Sequence, residues 1–462
     1  MSTNRRQFLA RTSALTGAAM AGSFGRYGIP SAQAQSGGDY KALVCLFQFG
    51  GADSNNMIVP KSDYGQYGLV RTAASQVGIP EDQLLVVGAS RQGGKQFGFH
   101  PNMAPLKALY DADKLAVVAN AGTLIAPITM ADYKAGKNRP PNLFSHSDQQ
   151  MLWQGLLPTD IIKTGWGGRL ADKLVAKNAG QKVPTMVSVS GTQLFNSGHD
   201  TTPFVIPGNG GVLLSGQGSD TVSTARYNAL RALMSTGGGN TLFDAASSIL
   251  DDALVAAEAA NPFLTANPTP AVITNAFTVG GTLLNTGLAQ QLRQVARLIE
   301  ARAALGIKRQ FFMVNIGGWD NHSNILTAEG NLLTQLSQAM AAFYQYTVDA
   351  GVSNMVTTFT MSDFNRTFIG NQSLGTDHAY GGNYLVLGGA VKGGDIYGTY
   401  PALVLKGADD TGSNGAWLPS TSVDQIGNTL ASWFGMSSAD IAYAFPNLTN
   451  WSAGQRNVGF MA

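Results

Sequence analysis

Residues 41–56 read KALVCLFQFGGADSNN, a stretch that joins a run of apolar residues to a glycine pair and a polar loop. Lys41–Phe49 has the length and composition of a buried β-strand, and Gly50-Gly51 marks its end. Cys45 is the single cysteine of the chain. Its place inside the apolar run predicts a buried core residue and excludes an intramolecular disulfide. Asp53 follows in the loop that leaves the strand.

Further apolar runs along the chain predict more buried strands, separated by segments with the helical spacing of apolar residues. The predicted strands are Leu115–Asn120, Val183–Ser190, Phe311–Ile316 and Met355–Thr360. The predicted helices are Pro101–Tyr110, Leu288–Leu305 and Ala328–Val348. Strands that alternate with helices favour an α/β fold, in which a mostly parallel central sheet carries helices on both faces.

The middle of the chain, at about residues 195–282, has a different texture. Glycine-rich segments at Gly208–Gly218 and Gly237–Gly239 separate helices rich in alanine and leucine. This composition predicts a helical, glycine-rich insertion or lid within one domain that spans residues 35–462.

The first residues resemble a twin-arginine signal peptide. Arg5 and Arg6 are followed by the apolar pair Phe8-Leu9, and Ser13–Gly22 forms a short, weakly apolar stretch. Ala32-Gln33-Ala34 offers a cleavage site, so we expect residues 1–34 to be removed after export. The pattern predicts the twin-arginine translocase as a transient partner and a periplasmic or secreted location. No stretch after the predicted cleavage site is long enough for a membrane anchor.

Composition limits the classes of function. The whole chain has 30 basic and 28 acidic residues, and the leader holds four of the basic ones and none of the acidic ones. The mature protein would therefore be slightly acidic, which disfavours a nucleic-acid partner. The sequence predicts no oligomeric state.

Four polar loops carry aspartates and histidines close to the ends of predicted strands. They are Gly50–Asn56, Gly317–Ser323, Ser362–Thr367 and Gly375–Gly382, and they contain two of the five histidines. In an open parallel sheet, functional groups gather at the carboxyl ends of the strands. Carboxylates and imidazoles delivered there can share one divalent cation, which would stabilise charge on a bound anionic ester.

In this order, the leader and the motifs GGADSNN, GGWDNH, SDFNRT and GTDHAYGG resemble the exported family known as domain of unknown function 1501. That family in turn resembles, more remotely, the alkaline phosphatase and sulfatase superfamily. The resemblance covers essentially the whole mature chain. It implies an alkaline phosphatase-like α/β domain with metal ligands at the strand ends.

The resemblance also implies roles for single residues. Asp53 and Asp363 would serve one metal site, and Asp320, His322 and His378 would hold a second metal. Ser145 occupies the region of the superfamily's nucleophile, where a hydroxyl attacks phosphorus or sulfur.

Two departures from the superfamily pattern bear on the metal. Asp320 and His322 lie two positions apart, whereas the superfamily usually has a spacing of four. Phe364 stands where a metal-binding histidine is common. Asn365 would be the substitute oxygen donor, an arrangement that suits calcium or magnesium better than zinc.

Several residues keep two interpretations. Ser145 is either the nucleophile or the cap of a helix, and Asp53 and Asp320 are either ligands or local caps. His146 is a metal ligand or a general base, and Arg366 is a candidate for binding substrate. The sequence favours a metal-dependent hydrolase for phosphate or sulfate esters. The alternative is a non-catalytic envelope protein that retains the fold and binds another exported protein or a polysaccharide.

Overall fold

The computed structural model describes residues 39–157, 162–214, 216–218, 220–236 and 241–462. The predicted signal peptide at residues 1–34 lies outside these ranges. The residues from Asp39 onward form one compact unit.

Helices and strands are interspersed along this unit, and β11 to β16 follow one another without an α-helix between them. The strands are β1 Lys41–Gln48, β2 Ile58–Val59, β3 Leu85–Ala89, β4 Lys95–Phe99, β5 Leu115–Gly122, β6 Met186–Ser188, β7 Phe204–Val205, β8 Thr278–Val279, β9 Thr282–Leu283, β10 Arg309–Ile316, β11 Val356–Ser362, β12 Arg366–Gly370, β13 Thr376–His378, β14 Gly382–Gly388, β15 Ile396–Tyr397 and β16 Thr421–Ser422. The α-helices are α1 Ser54–Met57, α2 Tyr64–Tyr67, α3 Ala104–Asp111, α4 Met130–Lys134, α5 His146–Gly155, α6 Trp166–Asp172, α7 Thr221–Ser235, α8 Thr241–Leu264, α9 Ala271–Ala276, α10 Gly287–Glu300, α11 Ile325–Asp349, α12 Val423–Phe434 and α13 Ser438–Ala444.

The central sheet has the strand order β15-β5-β14-β11-β1-β10-β6-β7, and β16 also pairs with β5. Strand β1 runs parallel to both of its neighbours, β10 and β11. Strand β14 runs antiparallel to its two neighbours. The predicted mostly parallel sheet is therefore confirmed. The sequence analysis did not predict β14, which lies inside a stretch rich in glycine.

Apolar residues of the central strands alternate between the two faces of the sheet, because successive side chains of a strand point in opposite directions. Ala42, Val44 and Leu46 of β1 belong to a core that includes residues of α10 and α11. Leu43, Cys45 and Phe47 belong to a second core that includes residues of α5, α6, α12 and α13. Helices thus cover both faces, and Cys45 is the buried core residue that the sequence predicted.

The middle of the chain contributes three helices. Helix α7 has no buried residue, whereas α8 buries Leu254, Ala256, Ala257, Ala260 and Leu264 near its end. The two helices are linked by an ion pair between Arg231 and Asp251 at 2.5 Å. Among the helices of the described ranges, none is long and apolar enough to cross a membrane.

The carboxyl ends of β11, β1 and β10 lie side by side, which brings their loops together. The Gly50 backbone N–H donates to Asp363 Oδ2 at 3.2 Å, and the Trp319 N–H donates to the Phe49 carbonyl at 3.2 Å. Gly50 has φ +117°, and a Cβ at this position would lie 2.5 Å from the Asp320 backbone nitrogen. This close approach requires glycine, since no L side chain fits there.

Candidate metal centre

One carboxylate oxygen of Asp320 lies at the centre of three imidazoles. Asp320 Oδ1 is 3.4 Å from His146 Nε2, 3.0 Å from His322 Nε2 and 3.5 Å from His378 Nε2. His322 Nε2 and His378 Nε2 are themselves 3.1 Å apart. The potential ligand atoms of His146, Asp320 and His378 all lie within 4.8 Å of one another. We refer to His146, Asp320, His322 and His378 as the candidate metal centre, shortened below to the metal centre.

Three separate parts of the chain supply these side chains. His146 is the first residue of α5, and Asp320 and His322 follow β10. His378 ends β13, which forms a hairpin with β12 in which Arg366 pairs with His378. The Thr376 N–H donates to the Asn321 carbonyl at 3.1 Å and so fixes this hairpin to the loop after β10.

The second ring nitrogen of each histidine has an oxygen partner. Nδ1 of His146 lies 2.7 Å from Asp363 Oδ2, and Nδ1 of His322 lies 3.1 Å from Asp377 Oδ1. Nδ1 of His378 lies 2.7 Å from the Phe144 carbonyl oxygen. Such partners are typical of metal-binding histidines, because they fix the ring and its tautomer.

These partners determine where the ring protons are. A carbonyl oxygen only accepts, so His378 Nδ1 must carry a proton and donate it. Asp363 Oδ2 also accepts from the Gly50 backbone N–H at 3.2 Å and from the Gln150 side-chain amide nitrogen at 2.9 Å. It therefore accepts from His146 Nδ1 as well. In the neutral rings the Nε2 atoms of His146 and His378 then carry lone pairs, and both atoms lie within 3.5 Å of Asp320 Oδ1.

The pKa shifts of His378 and Asp320 have the directions that suit metal ligands. Burial lowers the pKa of His378, and the nearby positive charge of Arg366 lowers it further, against the opposing Phe144 carbonyl. Burial raises the pKa of Asp320, but Arg366 and the histidines His146 and His322 lower it overall. A neutral His378 and an ionised Asp320 are the protonation states that bind metal. His146 Nε2 is buried and has no hydrogen-bond partner among the described residues, so a cation would satisfy an otherwise orphaned atom.

The structure brings Asp320, His322 and His378 together and places His146, which the sequence analysis named as a metal ligand or a general base, beside them. That they bind a metal stays a prediction. Spacing gave no sign of this fourth member, because His146 comes from a distant helix. Its position directly after a helix-capping serine was the one local signal.

Asp363 lies next to the metal centre rather than among the four converging groups. Its carboxylate is fully buried and contacts His146 from behind. Burial raises the pKa of Asp363, although the donors Gln150 and His146 act against this. Asp363 therefore orients and polarises His146.

Asp53 is engaged elsewhere, in a buried ion pair with Arg71. Its other oxygen accepts from the Asn55 N–H at 3.1 Å and caps α1. Arg71, on a π-helical stretch at Gly68–Ala74, also donates to the Thr367 carbonyl at 3.3 Å. The sequence analysis missed Arg71. A shared site of Asp53 and Asp363 stays a prediction, and no contact between the two carboxylates is seen in the described ranges.

Asn365, the predicted substitute ligand, is also engaged. Its Oδ1 accepts from the backbone and the hydroxyl of Ser54, both at 3.0 Å. Its amide donates to the Gly381 carbonyl at 2.8 Å. Asn365 therefore ties the loops together, and its oxygen has protein donors already.

Ser145 is the N-cap of α5. Its hydroxyl donates to Asp148 Oδ2 at 2.5 Å and accepts from the Asp148 N–H at 3.5 Å. The capping interpretation therefore describes the observed contacts, and the role of nucleophile stays a prediction.

Arg366 is fully buried beside the metal centre. Its Nη2 donates to Asp320 Oδ1 at 3.0 Å, while Nε and Nη1 have no hydrogen-bond partner in the part of the chain that the structure describes. Arg366 is thus placed to balance the charge of Asp320.

The other two histidines lie apart from the metal centre. His100 is buried, accepts from the Asn102 N–H at 3.1 Å, and has a pKa lowered by burial to about 4. His199 is exposed and lies near Tyr443.

The sequence model of a family described as "Protein of unknown function (DUF1501)" matches residues 40–432. The chain belongs to this family. The resemblance that the four loops suggested is therefore confirmed. The comparison with curated proteins gives no significant match.

Solved structures of low identity also align over most of the chain. The C-terminal periplasmic domain of EcEptC from Escherichia coli, in complex with Zn, is 11% identical at a TM-score of 0.32, covering 87% of this chain and 84% of that one. The lipoteichoic acid synthase LtaP from Listeria monocytogenes is 7% identical at 0.31, covering 87% and 73%. Ps i-CgsB is 10% identical at 0.34, covering 89% and 76%. TM-scores this low say nothing about the reaction of this family member.

Proposed function

We propose that this protein is a zinc-dependent hydrolase of phosphate or sulfate esters, exported through the twin-arginine pathway. The observation that supports a metal is the convergence of three Nε2 atoms on Asp320 Oδ1, at 3.0 to 3.5 Å. Imidazole nitrogens and a carboxylate oxygen at this spacing are the atoms that a metal ion binds. Arg366 contacts Asp320 Oδ1 but leaves His146 Nε2 without a hydrogen-bond partner among the described residues, and a cation would supply one.

The donor set favours zinc over calcium or magnesium. Three imidazoles and one carboxylate are typical zinc ligands, whereas the two harder ions prefer sites built from oxygen alone. This proposal replaces the harder ion that the sequence pattern favoured, because Asn365 is occupied by Ser54 and Gly381.

The side chains around the metal centre have separable tasks. His146, Asp320, His322 and His378 would hold the ion, which would polarise the ester oxygens as a Lewis acid. Asp363 holds the ring of His146 in place at 2.7 Å. Arg366 adds a fixed positive charge next to Asp320, which favours an anionic substrate.

Solvent reaches the metal centre from one side. The side chains of Asp320 and His322 are 50% and 45% exposed, whereas Asp363 and Arg366 are buried behind them. An ester could therefore approach from solvent without a large rearrangement. Because Ser145 is engaged with Asp148, we propose water as the attacking group.

The test uses the purified mature protein. We expect stoichiometric zinc by elemental analysis and hydrolysis of aryl phosphates or aryl sulfates that a chelator abolishes. The double variant H146A/H378A should lose both zinc and turnover, and S145A should keep both. H199A is a matched control, because His199 is exposed and distant. Zinc-free protein with full activity, or unchanged zinc in H146A/H378A, would contradict the proposal.

The second candidate function is a non-catalytic binding protein of the envelope with a structural metal. The observation that favours it is Phe364, which stands where the superfamily commonly has a metal-binding histidine and whose ring centroid lies 4.5 Å from that of His378. Stoichiometric zinc without turnover in a broad screen of esters would support this alternative.

A further inference from the structure

A groove of about 300 Å³ lies beside the metal centre. One wall is the segment Arg139–Phe144, which leads into α5, and the other includes Tyr133 of α4. One contact joins the groove to the metal centre, because the Phe144 carbonyl accepts from His378 Nδ1 at 2.7 Å. The Tyr133 ring lies 6.5 Å, between ring centroids, from Tyr380, which follows His378 by two residues.

Contacts beneath the groove hold its walls in place. The buried Gln149 amide donates to the carbonyls of Pro141 and Asn142, both at 3.3 Å. Tyr133 and Leu143 are buried in a small apolar cluster. A groove that exists before the ligand arrives avoids part of the entropy cost of binding.

The groove carries one positive charge. Arg139 is the one charged side chain among its lining residues, and no acidic side chain of the described ranges contributes to the lining. The guanidinium lies over the Tyr133 ring, 5.4 Å from its centroid. No ion pair of Arg139 with a carboxylate is seen in the described part of the chain. Its fork of donors is therefore available to a bound carboxylate, phosphate or sulfate.

We propose that this groove is the subsite for the leaving-group part of the substrate and that Arg139 recognises a second anionic group on it. The inference rests on the proposed hydrolase function. The substrate class is then an ester of a ring-bearing molecule with two anionic groups, one at the metal centre and one at Arg139. Tyr133 and the prolines Pro140 and Pro141 would contact the ring.

The test compares two substrates in three proteins loaded with zinc. Phenyl phosphate has one anionic group, and para-carboxyphenyl phosphate has a second one on the far side of the ring; the corresponding aryl sulfates form a parallel pair. R139Q should raise KM for the carboxylated ester by roughly tenfold, with kcat unchanged, and leave phenyl phosphate unaffected. K134Q is the matched control, since Lys134 is exposed at the end of α4 and does not line the groove.

The outcomes separate this inference from the proposed function. Equal kinetics of R139Q and wild type on both substrates would overturn the inference and leave the hydrolase intact. If neither ester is turned over, the affinity of the same three proteins for para-carboxyphenyl phosphate, measured by calorimetry, tests whether the groove is a subsite. Weaker binding by R139Q alone would support the subsite, and equal binding by all three proteins would overturn it.

Discussion

Asp363→Asn is the perturbation that tests the metal centre most directly. The amide keeps the shape of the carboxylate, and its oxygen can still accept from Gly50, Gln150 and His146. What is lost is the negative charge that lies 2.7 Å from His146 Nδ1. Such partners typically contribute about 10- to 100-fold to metal affinity. Because Asp363 is fully buried, solvent screens its charge poorly, and we expect the upper part of this range.

A 10- to 100-fold loss of zinc affinity corresponds to about 1.4 to 2.7 kcal/mol of binding free energy. The assay is a competition titration of metal-free mature protein against a zinc-binding dye, followed by thermal denaturation with and without zinc. Zinc should raise the midpoint of wild type more than that of D363N, because ligand binding to the native state stabilises it. The comparison variant is D377N, since Asp377 faces His322 at 3.1 Å but is 55% exposed, and its effect should be smaller. Equal zinc affinity of D363N and wild type would refute the assigned role of Asp363.

Three further predictions concern other parts of the protein. Gly50→Ala should reduce zinc affinity by about tenfold or more, because the new Cβ would lie 2.5 Å from the Asp320 backbone nitrogen; a titration equal to wild type would argue against this. Asp53→Asn should lower the free energy of unfolding by about 3 to 5 kcal/mol, since it leaves buried Arg71 without its carboxylate partner; urea denaturation measures this loss. The zinc content should stay at the wild-type value in elemental analysis. Burial raises the pKa of Asp424 to about 7, although the hydrogen bond from the Ser422 hydroxyl acts against this. The stability that Asp424 contributes is therefore fully present below about pH 4 and is lost as the pH rises through about 7. The loss is about 1.4 kcal/mol of unfolding free energy for each pH unit. Urea denaturation at several pH values should therefore show Asp424→Asn gaining stability relative to wild type across this window, and parallel pH profiles would exclude it.

The polar loops show how much of the metal centre the sequence could predict. All four loops, including those of Asp53 and Asp363, were predicted to meet, because they follow or lie near predicted strands and parallel strand ends gather at one edge. The grouping of Asp320, His322 and His378 on one metal was implied by the family resemblance. His146 was predicted only as a ligand or base, and nothing in its spacing tied it to the other three.

Asp53 and Arg71 show where the sequence could not decide a residue's role. An aspartate directly after the first strand has the position of a ligand, and the same position suits a helix cap. The choice depends on what lies opposite, and the partner, Arg71, is held on a π-helical stretch that no pattern in the sequence predicted.

The sequence by itself determined the alternation of strands and helices, the burial of Cys45 and the family, since these depend on local composition, periodicity and short motifs. The tertiary structure alone decided the membership of the metal centre and the orientation of its rings. A side chain's chemistry depends on the atoms within a few ångströms of it, and here those atoms come from α5, from the loop after β10 and from the β12–β13 hairpin, which only the folded chain brings together.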